Sequence, residues 1–283
     1  MLKIVFFGSS TFSSVILNKL SKTKFCPFLI ATTKNSNLKT DIPIKFFPFL
    51  IKEADLFIVA SFGRILSKKI LSIPKYGSLN IHPSLLPKHR GPSPLQQTIL
   101  NNDQKTGTTI ILMDELIDHG KIVSQKEYLI KQKETFLSLE KKLAEISADL
   151  LIKTIPDWIS KKIIPIYQKE EQATYTHLFQ KEDGKIDWQE SSDIIERKIR
   201  ALNPWPGCFT FWKKNNKDIR IKILRAKNYQ KNISDIPGKV YDNLTIQCKK
   251  GTLVIELLQI EGKKPVLAQD FLKGNKINES ILF

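Results

Sequence analysis

A strand-length apolar run that ends in a Gly-Ser turn, more apolar runs of that length downstream, and a late change to short β-rich runs predict an α/β chain. The layout they imply is a doubly wound, Rossmann-like domain over residues 1–165, a linker over 166–182, and a small β-barrel domain resembling the OB-fold over 183–283.

The elements follow in order. Leu2-Lys-Ile-Val-Phe-Phe7 reads as a buried strand, and Ser9 or Ser10 can cap a helix over Phe12–Leu20. Phe28–Ala31 and Leu56–Ala60 are further strands. The interval Thr33–Asp55 between them is irregular, because Pro43 and Pro48 oppose long helices. Ser78–Ile81 and Thr108–Met113 read as strands with a helical pattern near Leu95–Leu100 between them. Glu134–Ile155 is a long amphipathic helix, with Phe136, Leu139, Leu143, Ile146, Leu150 and Leu151 on one face. Beyond Pro165 the texture turns polar through Asp183. A helix over Ser192–Leu202 is followed by five β-rich runs: Cys208–Trp212, Ile219–Leu224, Lys239–Tyr241, Leu244–Cys248 and Leu253–Ile260.

Charge sets the partner class. The chain carries 45 Lys+Arg against 28 Asp+Glu, a formal net charge of +17 over 283 residues. Through residue 160 the balance is 22 against 13, and in the remainder 23 against 15, so no single tail holds the excess. A folded chain that is basic throughout predicts a polyanionic partner such as nucleic acid. The three cysteines, Cys26, Cys208 and Cys248, are scattered, which argues against a disulfide framework or a structural zinc site. No stretch approaches the roughly 18 apolar residues that a membrane span needs, and Leu2–Phe7 is too short for a signal-peptide core. A cytoplasmic protein with no membrane partner is expected.

Gly8 stands alone at the first turn, without the glycine-rich dinucleotide fingerprint or the P-loop pattern. That argues against a nicotinamide cofactor or a nucleoside triphosphate. The chemistry concentrates instead in Asn80-Ile-His82-Pro-Ser-Leu-Leu-Pro87-Lys-His-Arg-Gly91. Asn80 and His82 are two apart at a strand end, so both point to one face, and Pro83 ends the ladder. An amide donor beside an imidazole suits a developing oxyanion. Asp118, in Met113-Asp-Glu-Leu-Ile-Asp118-His-Gly120, is expected on a loop at the same sheet edge, orienting His82 and favouring its protonated form. His82, His89, Asp118 and His119 fit no metal-ligand spacing, so no metal is expected.

Together these stretches resemble the folate-dependent formyltransferases, whose signature joins Asn-x-His, Ser-Leu-Leu-Pro and a later Leu/Ile-Asp-x-Gly. Ser61-Phe-Gly-Arg-Ile-Leu66 resembles the family's strand-end segment at the folate pocket. In the second half, Gln172-Ala-Thr-Tyr175, Lys181-Glu-Asp-Gly-Lys-Ile-Asp-Trp188, Ile199-Arg-Ala-Leu-Asn-Pro-Trp-Pro-Gly207 and Ala268-Gln-Asp-Phe-Leu272 resemble the branch acting on charged initiator tRNA. Purine-pathway formyltransferases share the first half but normally lack this second domain. The family usually carries a longer basic loop after its second strand; here Thr33–Asp55 fills that interval, with Lys34, Lys39 and Lys45 as its cations.

The resemblance implies 10-formyltetrahydrofolate as formyl donor and the α-amino group of methionine on initiator methionyl-tRNA as acceptor. It implies Asn80, His82 and Asp118 as catalytic residues. Ser84, Leu85, Leu86, Pro87, Phe62, Gly63, Arg64, Ile65 and Leu66 would border the folate. Lys88, Arg90, Lys181, Lys185, Arg197 and Arg200 are the cations expected to meet tRNA, and the chain is expected to act as a monomer. Two other readings compete: a formyltransferase for an amino-sugar nucleotide, which needs no basic surface, and a non-catalytic RNA-binding module, which needs none of the three catalytic side chains.

Overall fold

β1 (Ile4–Gly8) is buried at every position because strands flank it and both faces of its sheet are covered. The protein is described by a computed structural model that covers every residue except 1, 35, 37, 52 and 279. It forms two compact units. The first holds residues up to Thr98, with Asp103–Lys131 and Leu137–Leu178; the second holds Ile99–Asn102, Gln132–Phe136 and Phe179–Phe283.

In the first unit β1 leads through Ser9 into α1 (Thr11–Leu20), where Ser10 and Ser13 form a reciprocal capping box. β2 (Leu29–Thr32), β3 (Ile44–Phe46), β4 (Leu56–Ala60) and β5 (Ser78–His82) then add in parallel. The short α2 (Lys68–Leu71) lies between the last two. After α3 (Pro94–Leu100) the chain returns as β6 (Lys105–Leu112) and β7 (Lys121–Leu129), and α4 (Phe136–Ile159) follows. The sheet order is β3-β2-β1-β4-β5-β6-β7. Its first five strands give the doubly wound order, with a switch point between β1 and β4. The Ser9 Oγ bridges that crevice to the carbonyls of Ser61 (3.1 Å) and Phe62 (3.3 Å).

The sheet is mixed. β6 runs antiparallel to β5, with Leu79 opposite Leu112 and His82 opposite Thr109. The loop after β6 therefore leaves from the opposite end of the sheet to the C-terminal end of β5. The expectation that Asp118 sits on a loop at that same edge is corrected accordingly. β7 is a strand the sequence reading leaves unassigned, because Lys126 and Glu127 on its exposed stretch mask the alternation.

One face of the sheet carries Val5, Phe7, Leu29, Ala31, Phe57 and Val59, packed with Phe62 and Leu66 from the segment after β4. Phe7 is the hub, with edge-on contacts to Phe47, Phe57 and Phe62 at 6.2, 5.0 and 5.3 Å between centroids. Burying one such ring contributes on the order of 2–3 kcal/mol. Val59 is level with Asn80 and Phe57 with Ser78, so the catalytic-candidate side chains of β5 share this apolar face.

In the second unit α5 (Ser192–Leu202) precedes β8 (Cys208–Lys214), the long β9 (Lys217–Tyr229), β10 (Val240–Tyr241) and β11 (Thr245–Gln247). β12 (Thr252–Ile260), β13 (Val266–Leu267) and α6 (Ala268–Gly274) complete it. The order is β10-β11-β12-β9-β8, with β13 on β12. The C-terminal segment joins the two outer strands. Phe283 exchanges backbone bonds with Phe211 at 2.9 and 3.1 Å, while Val240 N–H donates to the Ser280 carbonyl at 2.9 Å. An antiparallel sheet with its edges joined in this way is a closed, barrel-like arrangement. Among the described residues no helix is long and apolar enough to cross a membrane.

The stretch read as a linker differs from expectation. Ile166 exchanges backbone bonds with Ile122, Arg90 N–H donates to the Thr174 carbonyl at 2.8 Å, and Gln168 is buried. Residues up to Leu178 thus belong to the first unit. Most of them are exposed, and a buried Gln168 among polar surface residues looks like a tether in sequence.

Candidate active site

Strand geometry brings Asn80 and His82 to one place, as their spacing predicts. A single carboxylate meets both. Asn80 Nδ2 donates to Asp118 Oδ1 at 3.1 Å, and His82 Nδ1 lies 3.4 Å from Asp118 Oδ2. The same Oδ2 accepts the backbone N–H of Gly91 at 2.8 Å. Asp118 reaches this point because its loop folds back from the end of β6 over the sheet face. Its own φ is +50°, a left-handed conformation that costs an L residue about 1–2 kcal/mol. Gly120 makes the fold-back possible, since a Cβ there would meet the Leu112 carbonyl oxygen at 2.0 Å.

His82 is buried at 5% exposure, and its second nitrogen is also engaged: Nε2 lies 2.8 Å from the His89 carbonyl oxygen. A carbonyl only accepts, so Nε2 carries a proton and Nδ1 faces the carboxylate. Asn80 keeps one amide N–H with no acceptor among the described residues. The residue that receives the His82 bond is itself held. His89 has φ +61°, its N–H donates to Thr174 Oγ1 at 2.8 Å, and its ring pairs with Asp103 at 2.7 Å.

The turn between them is pinned by groups that sequence reading passes over. Thr109 Oγ1 donates to the Ser84 carbonyl at 2.6 Å and accepts Leu86 N–H at 3.1 Å, and Gln125 donates to the Leu86 carbonyl at 3.0 Å. Ser84 Oγ donates to the Lys88 carbonyl at 2.6 Å. Ser84 and Leu86 are fully or nearly buried, whereas Leu85 and Pro87 are half-buried. The segment after β4 divides in the same way. Phe62 and Leu66 are anchored in the core, whereas Gly63, Arg64 and Ile65 are exposed, Ile65 at 79%. Gly63, at φ +70°, has open space where a Cβ would point. Lys68 on α2 reaches Glu115 at 3.6 Å, which sets this segment beside the loop bearing exposed Leu116 and Ile117.

The expected tRNA contacts separate more sharply. Lys88, Lys181 and Lys185 are exposed. Arg90 is not a surface cation: it is 1% exposed and its guanidinium is bound by Gln168, Glu170 and Tyr175. Glu170 raises the Arg90 pKa further, chiefly by its hydrogen bond, and is itself held below the usual carboxylate range by Arg90. Arg200 is likewise turned inward, on Glu196 at 2.8 and 2.9 Å and on the Glu134 carbonyl at 2.6 Å. Arg197 is half-buried, and its Nε has no partner among the described residues. Among the described residues no group of three His, Cys, Asp or Glu is placed to hold a metal ion.

The chain is similar to known proteins. Residues 49–155 match the model of the formyl transferase family, and residues 179–276 match the formyl transferase C-terminal domain. A methionyl-tRNA formyltransferase of Rickettsia bellii is 42% identical over 225 residues, covering 79% of this chain and 72% of that protein. One from Clostridium tetani is 36% identical over 232 residues, covering 81% and 74%. Among solved structures, HypX from Aquifex aeolicus in complex with tetrahydrofolic acid superposes with a TM-score of 0.69 at 17% identity, over 96% of this chain and 47% of that one. An N-formyltransferase from Helicobacter canadensis, bound to folinic acid and dTDP-3-aminofucose, gives 0.68 at 21% identity over 90% and 99%. At these identities the two structures speak for the fold.

Proposed function

The chain belongs to the methionyl-tRNA formyltransferase family, and from that premise we propose how its own residues carry out formyl transfer to methionine on initiator tRNA. The observation that carries the reading is the convergence of Asn80, His82 and the Asp118 carboxylate on one face of β5.

The donor, 10-formyltetrahydrofolate, supplies the formyl group. The exposed Gly63-Arg64-Ile65 stretch, with Leu85 and Pro87, fits such a molecule: open backbone and apolar surface for a flat ring, and one cation for its acidic tail. As the methionyl amine bonds to the formyl carbon, negative charge gathers on the formyl oxygen. The spare N–H of Asn80 donates to that oxygen, and His82 donates by exchanging one of its internal acceptors. A single such donor is worth about 3–4 kcal/mol. Asp118 holds His82 and takes part in moving the proton that the amine releases to the donor nitrogen, whose bond to the formyl carbon breaks as the charge on the oxygen collapses, so that tetrahydrofolate leaves. The exposed lysines Lys181 and Lys185 in the second unit and Lys88 in the first are the cations that would meet tRNA phosphate. The same reading has the chain work as a cytoplasmic monomer, which sedimentation at working concentration checks.

The deciding experiment is a formyl-transfer assay with charged initiator tRNA beside an amino-sugar nucleotide. Transfer to the tRNA is expected. Transfer to the sugar nucleotide alone would replace this reading with the other branch of the fold.

A further inference from the structure

Arg90 uses all five of its N–H donors. Nε and Nη2 donate to Gln168 Oε1 at 3.1 and 2.8 Å. Nη1 and Nη2 donate to the two oxygens of Glu170 at 2.9 and 2.6 Å, and Nη1 also donates to the Tyr175 hydroxyl at 3.0 Å. Its backbone is pinned as well, by Thr174 and Thr176 at 2.8 Å each. A guanidinium so completely satisfied and 1% exposed is a fixed point.

That fixed point dictates the orientation of Gln168. Arginine only donates, so the Gln168 carbonyl oxygen must face Arg90 and its NH2 must face the other way. There it meets two carbonyls, of Asp118 and Gly120, each at 2.8 Å. These two oxygens bracket the loop whose Asp118 sits at φ +50° and whose carboxylate gathers Asn80, His82 and Gly91. Arg90 and Gly91 are adjacent, so the same segment holds the Asp118 loop from the backbone side and from the side-chain side.

We propose that Arg90 and Gln168 are positioning residues for formyl transfer, a buried pair that fixes the Asp118 loop in its left-handed conformation and so aims the carboxylate at Asn80 and His82. Neither touches a reacting group. The pair acts through Asp118, and the proposal therefore rests on the reading of Asp118 as part of the reaction. His119, adjacent to Asp118, adds an outer tie: its ring pairs with Asp114 at 2.6 Å and lies 3.5 Å from Glu170.

Gln168→Glu separates positioning from mere structural support. Glutamate serves Arg90 as well as glutamine does, since it offers a carboxylate to a guanidinium. It fails the Asp118 and Gly120 carbonyls, which lose two donors and face an acceptor. If Gln168 serves only to satisfy Arg90, Gln168→Glu keeps wild-type turnover. If it positions Asp118, kcat falls by about tenfold to a hundredfold, the scale of an ångström of misplacement, with KM for tRNA and donor changed by less than about threefold. The effect must also couple. Placed on Asp118→Asn, Gln168→Glu should lower kcat by less than about threefold further, because the group it aims is already disabled. Arg90→Lys, which loses the fork, should behave as Gln168→Glu does.

Thermal unfolding is measured beside the kinetics. Should Gln168→Glu fail to fold, the same cycle is run with the exposed Glu170→Gln, which loosens Arg90 and the outer tie to His119 and leaves Gln168 in place. A lowered kcat coupled to Asp118 supports the proposal, and wild-type kcat overturns it. Folded variants with wild-type kcat, or losses that multiply fully with that of Asp118→Asn, also overturn it while leaving the site reading intact. Wild-type turnover by Asp118→Asn alone would overturn the site reading and this proposal with it.

Discussion

Asn80 and His82 arrive on a strand bonded on both sides, whereas Asp118 arrives on a loop that has to fold back across the sheet, and different forces hold the two. Pairing of β5 with β4 and β6 fixes the positions of the first two through backbone geometry alone. The third depends on a tight glycine, a strained φ and a buried polar network. A site assembled from one rigid and one constrained part can be perturbed in two distinguishable ways. Substitutions on the strand should remove chemistry without moving the loop, and substitutions under the loop should move the carboxylate without removing it.

The largest effects are expected at the groups themselves. Asn80→Ala and His82→Ala should each cut turnover by roughly a hundredfold or more, with unfolding temperature little changed for Asn80→Ala. Asp118→Asn is nearly isosteric, so folding should survive while single-turnover rate falls. Loss of tRNA affinity with normal turnover of bound complex would assign Asp118 to binding instead.

Next come the two glycines that contrast a crowded turn with an open one. A Cβ at residue 120 would sit 2.0 Å from a backbone oxygen that cannot move without breaking the β6–β7 turn. Gly120→Ala should therefore cost on the order of 2–3 kcal/mol and lower kcat through displacement of Asp118. Gly63 has positive φ and nothing within 4 Å. Gly63→Ala should cost only about 1 kcal/mol and act on KM for the folate donor. Chemical denaturation and steady-state kinetics on the pair check both halves. Equal stability losses would show that crowding at residue 120 is relieved by a backbone shift.

The carboxylate under the loop gives a pH test of smaller size. Arg90 holds Glu170 below the usual carboxylate range. A depressed acid contributes its stabilisation above its unfolded pKa, and loses it as pH falls through the lower folded value. The Arg90–Glu170 link should thus be unchanged from neutral pH to about 4.3, the ordinary glutamate value, and loosen only below it. Exchange of the Arg90 Nη protons, which make the bonds to Glu170, followed by NMR, should show that late acid step in wild type. In Glu170→Gln the exchange should be faster at neutral pH and the step absent. A wild-type step at or above the ordinary value would show that the pair is not formed in solution.

The contrast between strand and loop also explains what could be read from residues alone. Period-2 spacing and a following proline placed Asn80 and His82 on one face, and the apolar runs placed β1, β2, β4 and β5. Residues 192–202 were legible to their ends because α5 is strongly amphipathic. What escaped was everything decided by long-range polar contact. The antiparallel sense of β6, and with it the direction from which Asp118 approaches, leaves no local mark. Gln168 and Glu170 sit in a polar stretch indistinguishable from a tether, and Arg90 reads as a surface cation because burial of an arginine is rare without partners that lie 78 to 85 residues away.

The smallest expected effects belong to the second unit, where exposed and internal cations can be compared directly. Lys181 and Lys185 are exposed, and Lys185 Nζ lies 5.8 Å from the Phe211 ring centroid at a cavity of about 540 Å³ that Trp188 and Phe283 also line. Arg200 faces inward on Glu196. If charge on this unit meets tRNA phosphate, only the lysines can be counted by salt. Removing one lysine–phosphate pair should lower the slope of log affinity against log salt by about 0.7 to 0.9. Lys181→Gln with Lys185→Gln should therefore flatten the salt dependence of tRNA binding by up to about 1.8 and leave folate binding unchanged. Arg200→Gln should leave the slope alone and lower the unfolding temperature instead, because it strips the partner from a nearly buried glutamate. A slope that Arg200→Gln changes and the lysine pair does not would invert this assignment. If neither changes it, the phosphate-binding surface lies at other cations: Lys88 and the Lys34, Lys39 and Lys45 segment of the first unit, or the exposed Lys213, Lys217, Lys249 and Lys250 of the second.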